Sequence, residues 1–413
     1  MKSKKWTSVA VMTLVATLAM AVSLGMTAVP VNAQQRSIHR TGSPTQTGAE
    51  RMSNQTVPQT ANGTIETRGR DVRYRVVPIP ILPGKTNTFV PDVKSVNNFG
   101  HITGYSFVHT SNFNSVFLTG QGFIWRNGQL QALPLLNGWP GAFGFAMNDR
   151  DQVAGTANKL DGSGNIVQTA VMWDHGQPTN LGTLQPNSNS FPLGINIWGV
   201  VVGGSQNPAT CCNTPVVWYG GAIHALPYLP GMDHGFAESI NDLGMIAGRQ
   251  GPPDQSSQVP CLWYWNGSGY TPVSLGSLGG DYGDALGIND LGQIVGWSLY
   301  AGDIHGPAYL WDYRHGLQAL PSLPGDTDGS GDNINDFGQI TGFSQLFDDN
   351  GNLISQTPVI WQNGTVTNLQ TLVPAGTPTF TDVANTNDLG QIGIDSGSLG
   401  DGTVAGYLLV PTH

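Results

Sequence analysis

Asparagine and aspartate recur side by side along this chain, and a carboxamide beside a carboxylate offers oxygen ligands for a hard cation. The pairs are Asn148–Asp149, Asn241–Asp242, Asn289–Asp290, Asn335–Asp336 and Asn387–Asp388, with Asn97–Asn98 and Asn196–Ile197 as variants. Most are followed two residues on by Gly. Asn and Asp side chains also bond the backbone two residues ahead, so a tight turn accounts for them better than a metal does. Six tryptophans, Trp125, Trp173, Trp218, Trp263, Trp311 and Trp361, invite a sugar-stacking role. Each closes a short apolar run, which points instead to packing in a core.

Other residues could carry chemistry. Residues 326–336, DTDGSGDNIND, resemble an acidic calcium loop through Asp326, Asp328 and Asp332, but the closing Glu is missing. An ordinary polar loop is the alternative, and no other cofactor is expected. Asp233 and His234, Asp281 and Tyr282, and Trp139 and Phe143 all precede repeated phrases and are the ligand-binding candidates. Three cysteines, Cys211, Cys212 and Cys261, cannot all pair within one chain. A bond from Cys211 or Cys212 to Cys261 is expected, with a vicinal Cys211–Cys212 bridge as the alternative, and no CxxC spacing supports zinc.

Catalysis has little footing. The nine His are scattered and no nucleophile elbow, HExxH or phosphate loop occurs. Glu238 is the only Glu after Asp71. A glycosidase would need Asp residues from different blades meeting at the axis, which leaves no sequence signal.

The elements that position these residues follow from a repeat. The phrase INDLGQIVG at 288–296 returns as VNNFGHITG, MNDRDQVAG, INIWGVVVG, INDLGMIAG, INDFGQITG and TNDLGQIGI, with leading Asn residues 45 to 52 positions apart. Periods of this size mean a repeat architecture. Each copy offers four short apolar stretches separated by turns, too short for helices and rich in Val, Ile, Leu, Tyr and Trp. Four antiparallel strands per repeat predict a seven-bladed β-propeller over residues 71–413. YRVVPIPILPG at 74–84 reads as a fourth strand without its predecessors, and AGYLLVPTH at 405–413 as a third strand without a successor. Together they predict a last blade shared by the two ends, which removes sheet edges. An open β-solenoid would leave these half-blades unexplained.

The same phrases resemble the HAF family of probable extracellular repeats, whose pattern is close to AFLWdnG…dLGtLGG…AxxINdxGqiVGxS. The resemblance covers about residues 73–411 and implies a secreted repeat protein of bacterial type. It carries no catalytic residues over. Departures occur at Ile197 for Asp, and at Asp151 and Ile394 for Gly.

The ends and the charge balance set the context. Residues 1–33 have a Lys-rich start, an apolar stretch and VNA at 31–33, the pattern of a removed signal peptide. Residues 34–70 are polar without apolar periodicity and read as a flexible leader. From residue 71 there are nine Lys or Arg against 25 Asp or Glu. So acidic a body repels phosphate backbones, which argues against nucleic acid. No second long apolar stretch exists, so the mature chain is expected not to span a membrane. The expected protein is a secreted, monomeric binding scaffold for a glycan or a protein outside the cell. A carbohydrate hydrolase or lyase is the alternative. Spacing between strands two and three varies most, so those loops and the inter-blade loops on the same face are the expected binding surface.

Overall fold

The computed structural model describes residues 73–109, 114–209, 212–302, 305–348, 352–397 and 404–412. The signal and leader expected at 1–70 lie outside them. Seven four-stranded sheets, each entirely antiparallel, form a seven-bladed β-propeller. Blade 5 shows the pattern: Gly279–Ile288 is innermost, followed outward by Ile294–Tyr300, Ala308–Asp312 and Gly316–Ala319. Blade 7 is built from Phe380–Thr386, Ile392–Ser396 and Ala405–Thr412, and its outermost strand is Arg73–Pro78. Val76 lies opposite Leu409 in that seam. The two ends of the chain therefore close the ring as expected.

Each blade interface has its own apolar layer. Between blades 2 and 3 it joins Ala146, Ala154 and Ala170 to Ile195, Val201, Val216 and Trp218. Between blades 6 and 7 it joins Phe343 and Ile360 to Val383, Ile394 and Leu409. All six repeated Trp side chains are buried in these layers, and Leu409 fills the seventh place. Trp173, Trp263 and Trp361 donate their Nε1–H to the carbonyls of Pro134, Pro227 and Pro321, each at 2.7 Å and in the preceding repeat. The Trp residues are thus core, and for these three the ALP phrase is the polar counterpart, while the Nε1 groups of Trp125 and Trp218 are buried without a partner.

The Gly that closes the repeated phrase has a steric cause. In blades 2 to 6 the innermost strand slips register by one residue, around Phe145, Leu193, Glu238, Leu286 and Asp332. Such bulges bend a strand and re-aim its groups. Beside them an inner-strand carbonyl lies against the neighbouring strand, as the Phe89 carbonyl also does against Gly104 in blade 1, where no such slip occurs. A Cβ added to Gly296 would lie 1.9 Å from the Asp284 carbonyl oxygen, and one on Gly342 would lie 2.0 Å from that of Ser330. Blade 7 carries Ile394 there and has a wider irregularity, between Val383 and Thr386.

Blade 1 departs from the pattern at the axis. Its inner strand, Asn87–Phe89, is short, and Pro91 lacks the N–H to extend it. Residues 90–95 instead enter the channel. Val93 packs against clusters containing Phe145, Ala146 and Leu193 of blades 2 and 3. The Asp92 carbonyl accepts from Asn333 Nδ2 at 2.8 Å, and the Lys94 carbonyl from the Met147 amide at 2.8 Å.

Candidate functional site around the propeller axis

Each repeated turn joins the two innermost strands of its blade. The turn Asn accepts, through Oδ1, from amides two and four residues on: for Asn335 these are Phe337 at 3.1 Å and Gln339 at 2.9 Å. The fourth turn residue takes a left-handed conformation, as Gly292 does with φ 75°. Asp151 adopts the same conformation, φ 58°, and its carboxylate reaches back to Asn97, His101 and Arg126 of blade 1.

The Asn also makes a bond that no local pattern shows. Its Nδ2 donates to the carbonyl of the turn Asn in the next blade. Asn97 reaches Asn148 at 3.2 Å, Asn148 reaches Asn196 at 2.8 Å, Asn196 reaches Asn241 at 3.2 Å, and Asn241 reaches Asn289 at 2.9 Å. Asn289 reaches Asn335 at 3.0 Å, Asn335 reaches Asn387 at 2.8 Å, and Asn387 returns to Asn97 at 2.7 Å. The belt is closed and crosses every blade interface. The Asp beside each Asn does not serve its own turn. Asp290 Oδ1 accepts from the Asp242 amide, Asp336 from that of Asp290, and Asp388 from that of Asp336, at 2.8 to 2.9 Å. Asn98 does the same for Asp388. Ile197 has no acceptor to offer, and there the Arg150 guanidinium lies 5.5 Å above the Trp198 ring instead.

This belt surrounds a depression at one end of the axis, lined by residues of all seven repeats. Asp149, Asp242, Asp290, Asp336 and Asp388 face it, with Lys94 inside. Burial above all, with the neighbouring Asp242 and Asp336 carboxylates, raises the Asp290 carboxyl against the lowering effect of the Asp242 amide it accepts from and of Lys94. The residue after each of these positions is the turn tip. Phe99, Trp198, Leu243, Leu291, Phe337 and Leu389 are there 62 to 77 % exposed, and Arg150 is the seventh. A large apolar side chain in solvent is unremarkable singly, but here six recur at equivalent places around one ring.

A second group lies deeper in the channel. Asp332, Asp382, Asp395 and Tyr105 are buried, and Asp92 is partly open to the channel though enclosed by protein. Burial pushes the Asp92 carboxyl up to about 6. Burial, with Asp92 nearby, holds those of Asp332, Asp382 and Asp395 well above the usual carboxylate range. Asp332 Oδ1 accepts from Ser330, and its Oδ2 is buried with no partner. Both Asp395 oxygens accept from the Val90 amide. Glu238 lies 2.6 Å from Arg249, which also bonds Asp284 across the blade interface. Burial outweighs Arg249 and pushes Glu238 up to about 8.

The ligand-binding candidates do not form one site. Phe143 is 2 % exposed, stacked on Tyr105 at 4.1 Å and packed with Phe117 of the helix Asn114–Thr119, so it is core and cannot meet a ligand. Trp139 is half-buried in blade 2 beneath Lys159 Nζ at 4.3 Å. His234 and Tyr282 do share a neighbour, the loop after Gly251. His234 Nδ1 pairs with Asp233 at 2.9 Å, Tyr282 donates to the Gln255 carbonyl at 3.2 Å, and the Asp281 carbonyl accepts from the Gln258 amide at 2.9 Å.

The acidic stretch is not the loop expected of it. Asp328 and Asp332 belong to the inner strand Asp328–Ile334, and Asp326 accepts from Ser344 Oγ at 2.7 Å. Asp328 holds His305 Nδ1 and the Gly306 amide, both at 2.8 Å. Among the described residues no group of three His, Cys, Asp or Glu side chains is placed to hold a metal ion. The expected bond from Cys211 or Cys212 to Cys261 is not formed. Cys261 is a free thiol facing the core between blades 3 and 4, while Cys212 starts a strand at the loop end of blade 3. Cys211 lies outside the described residues. Among these residues no helix is long and apolar enough to cross a membrane.

No known family profile matches the chain, and no curated protein does. Solved structures similar to it include the β-propeller domain of the Trilobed protease from Pyrococcus furiosus, at 10% identity over 62% of this chain and 89% of that one, TM-score 0.34. The WD40 domain of SCAP from fission yeast matches at 10% identity over 82% and 90%, TM-score 0.37. The six-bladed Aleuria aurantia lectin matches at 14% over 63% and 91%, TM-score 0.33.

Proposed function

We propose that this chain is a secreted, HAF-like binding scaffold that meets an extracellular partner through the face bearing the seven Asn turns. The observation that carries this reading is the ring of exposed Phe, Trp and Leu around the acidic mouth. Trp198 has a partner within the ring, since its Nε1 donates to the Asp242 carbonyl at 3.0 Å, but large apolar side chains exposed at so many turn tips favour contact with a partner. On the loop face, expected to carry the site, Phe143 is drawn inward into a buried cluster with Phe89, Tyr105 and Phe117.

The alternative, hydrolysis at the axis, is favoured by the meeting of Asp92, Asp332 and Asp382 from three blades. A carboxyl raised to about 6 suits a general acid. Against it, Asp332 and Asp382 are 9 % and 7 % exposed. The depression at the mouth is not lined by either of them or by Asp92. Two variants separate the readings: Phe99→Ser/Trp198→Ser/Phe337→Ser and Asp92→Asn, each checked for folding by thermal unfolding. A screen of surface glycans and proteins, run with an assay for polysaccharide cleavage, should show binding lost only in the first. Cleavage by the native chain that Asp92→Asn abolishes would favour the hydrolase.

A further inference from the structure

Resting on the scaffold reading, we infer that the partner is a protein segment that sets a Lys or Arg into the axial mouth and apolar side chains against the surrounding ring. Charge complementarity chooses this occupant. Asp242, Asp290 and Asp336 each direct one carboxylate oxygen at a backbone amide of the preceding blade, and all three line the mouth. Five aspartates face it against Lys94. A cation entering there gains field from several blades at once, in a recess that screens it less than open solvent does. Phe99, Trp198, Leu243, Leu291, Phe337 and Leu389 sit one residue beyond these positions, so apolar contact and charge contact fall within one footprint. Aromatic side chains are enriched where proteins meet, and Phe99, Trp198 and Phe337 expose them here. Anionic lipid headgroups would meet like charge. A second copy docked face to face would bring two acidic mouths together.

The test uses the full mature chain and two labelled probes, a short peptide alternating Leu with Lys and one alternating Leu with Glu, read by fluorescence anisotropy. The Leu/Lys peptide should bind about tenfold tighter or more, with an advantage that shrinks as salt rises. Asp242→Asn/Asp290→Asn/Asp336→Asn should weaken it about tenfold. Asn keeps the Oδ1 acceptor, as Asn98 does for the Asp388 amide at 2.9 Å, so unfolding should be unchanged. Phe99→Ser/Trp198→Ser/Phe337→Ser should weaken both peptides.

Equal affinity for the two peptides, or binding indifferent to the Asn variant, would overturn the cationic partner while leaving the scaffold reading in place. Binding of both peptides indifferent to the Ser variant would overturn the scaffold face itself. Two other results would overturn the assignment in favour of a different occupant: co-sedimentation with phosphatidylcholine vesicles lost in the Ser variant, or a dimer in sedimentation velocity lost in that variant.

Discussion

Asn387 Nδ2 lies 2.7 Å from the carbonyl oxygen of Asn97, joining the last repeat of the chain to the first. That contact closes a belt of seven side-chain bonds. The ring is therefore closed twice, at the innermost turns by this belt and at the outermost strands by Val76 opposite Leu409. Two seams far apart along the blade resist opening of the blade as a hinge, which either alone would allow.

The belt can be probed while the turn keeps its Oδ1 bonds. Asn387→Asp keeps the acceptor for the Leu389 and Gln391 amides, at 3.1 and 2.9 Å, and removes the Nδ2 donor that serves both the Asn97 carbonyl and Gln391 Oε1. It also sets a carboxylate beside a carbonyl. Equilibrium denaturation should show a loss of about 1–3 kcal/mol, the cost of leaving a buried acceptor unpaired. A variant as stable as the native chain would mean the belt bonds are incidental.

Gly296→Ala should be among the worst single substitutions in the strands. The added methyl would collide with the rigid Asp284 carbonyl oxygen. Overpacking of this kind costs about 1–3 kcal/mol, and here no side chain can move aside. The control is Gly128→Ser, at an exposed turn where an added Cβ meets nothing. It should cost less, through its positive φ alone. Chemical denaturation of the pair gives the comparison, and equal losses would refute the steric account.

Much of the fold was legible because it is written in local patterns repeated seven times. Alternating apolar stretches, turn residues and the half-blades at 74–84 and 405–413 led directly to a closed propeller. The Trp core followed from its fixed place in an apolar strand. The role of the Asp was hidden, because its partner lies a whole repeat away. A turn reading already satisfied the local pattern. The Gly at the end of the phrase was hidden for the same reason: its neighbour is a carbonyl of the bulged strand. Phe143 was misread as a ligand contact because the short helix Asn114–Thr119 that covers it has no sequence signal of its own. The axial acids come from several blades and share no motif. The apolar ring was readable in principle, since the tip of a solvent-facing turn is Phe, Trp or Leu in six of the seven copies.

Trp263→Ala should cost about 3–5 kcal/mol, as expected for emptying a large buried aromatic site. It also removes the shorter of two bonds to the Pro227 carbonyl, at 2.7 Å, leaving Gln250 Nε2 at 3.4 Å. Trp265, two residues on and 51 % exposed, is the internal control. Trp265→Ala should stay within about 0.5 kcal/mol. Denaturation midpoints of the two variants measure the difference. Similar losses would contradict the assignment of the repeated Trp to the interface.

The axial acids predict an unusual dependence of stability on pH. Asp92 is raised to about 6 from an unperturbed 3.8, and Glu238 to about 8 from 4.5. For a carboxyl raised on folding, the folded state binds more protons. Its contribution is complete below the unfolded value and is lost as pH climbs through the folded one. Stability should therefore fall between about pH 4 and pH 8, by at most about 1.4 kcal/mol per unit for each proton involved. Asp92→Asn should flatten the part of that slope below about pH 6. Urea midpoints measured across this range would show it, and a native chain that gains stability over the same range would contradict the buried, protonated cluster.

The central claim is that contact is made on the face of the Asn turns. It is tested most directly by placing a photoreactive benzoylphenylalanine at Leu291, on the ring, or at Tyr300, at the loop end of the same strand pair and 46 % exposed. Each protein is irradiated with an extracellular extract, and adducts are resolved by mass. The account predicts an adduct from position 291 that disappears when Phe99, Trp198 and Phe337 are changed to Ser, and none from position 300. An adduct from position 300 alone would place the binding surface on the opposite face and contradict the account.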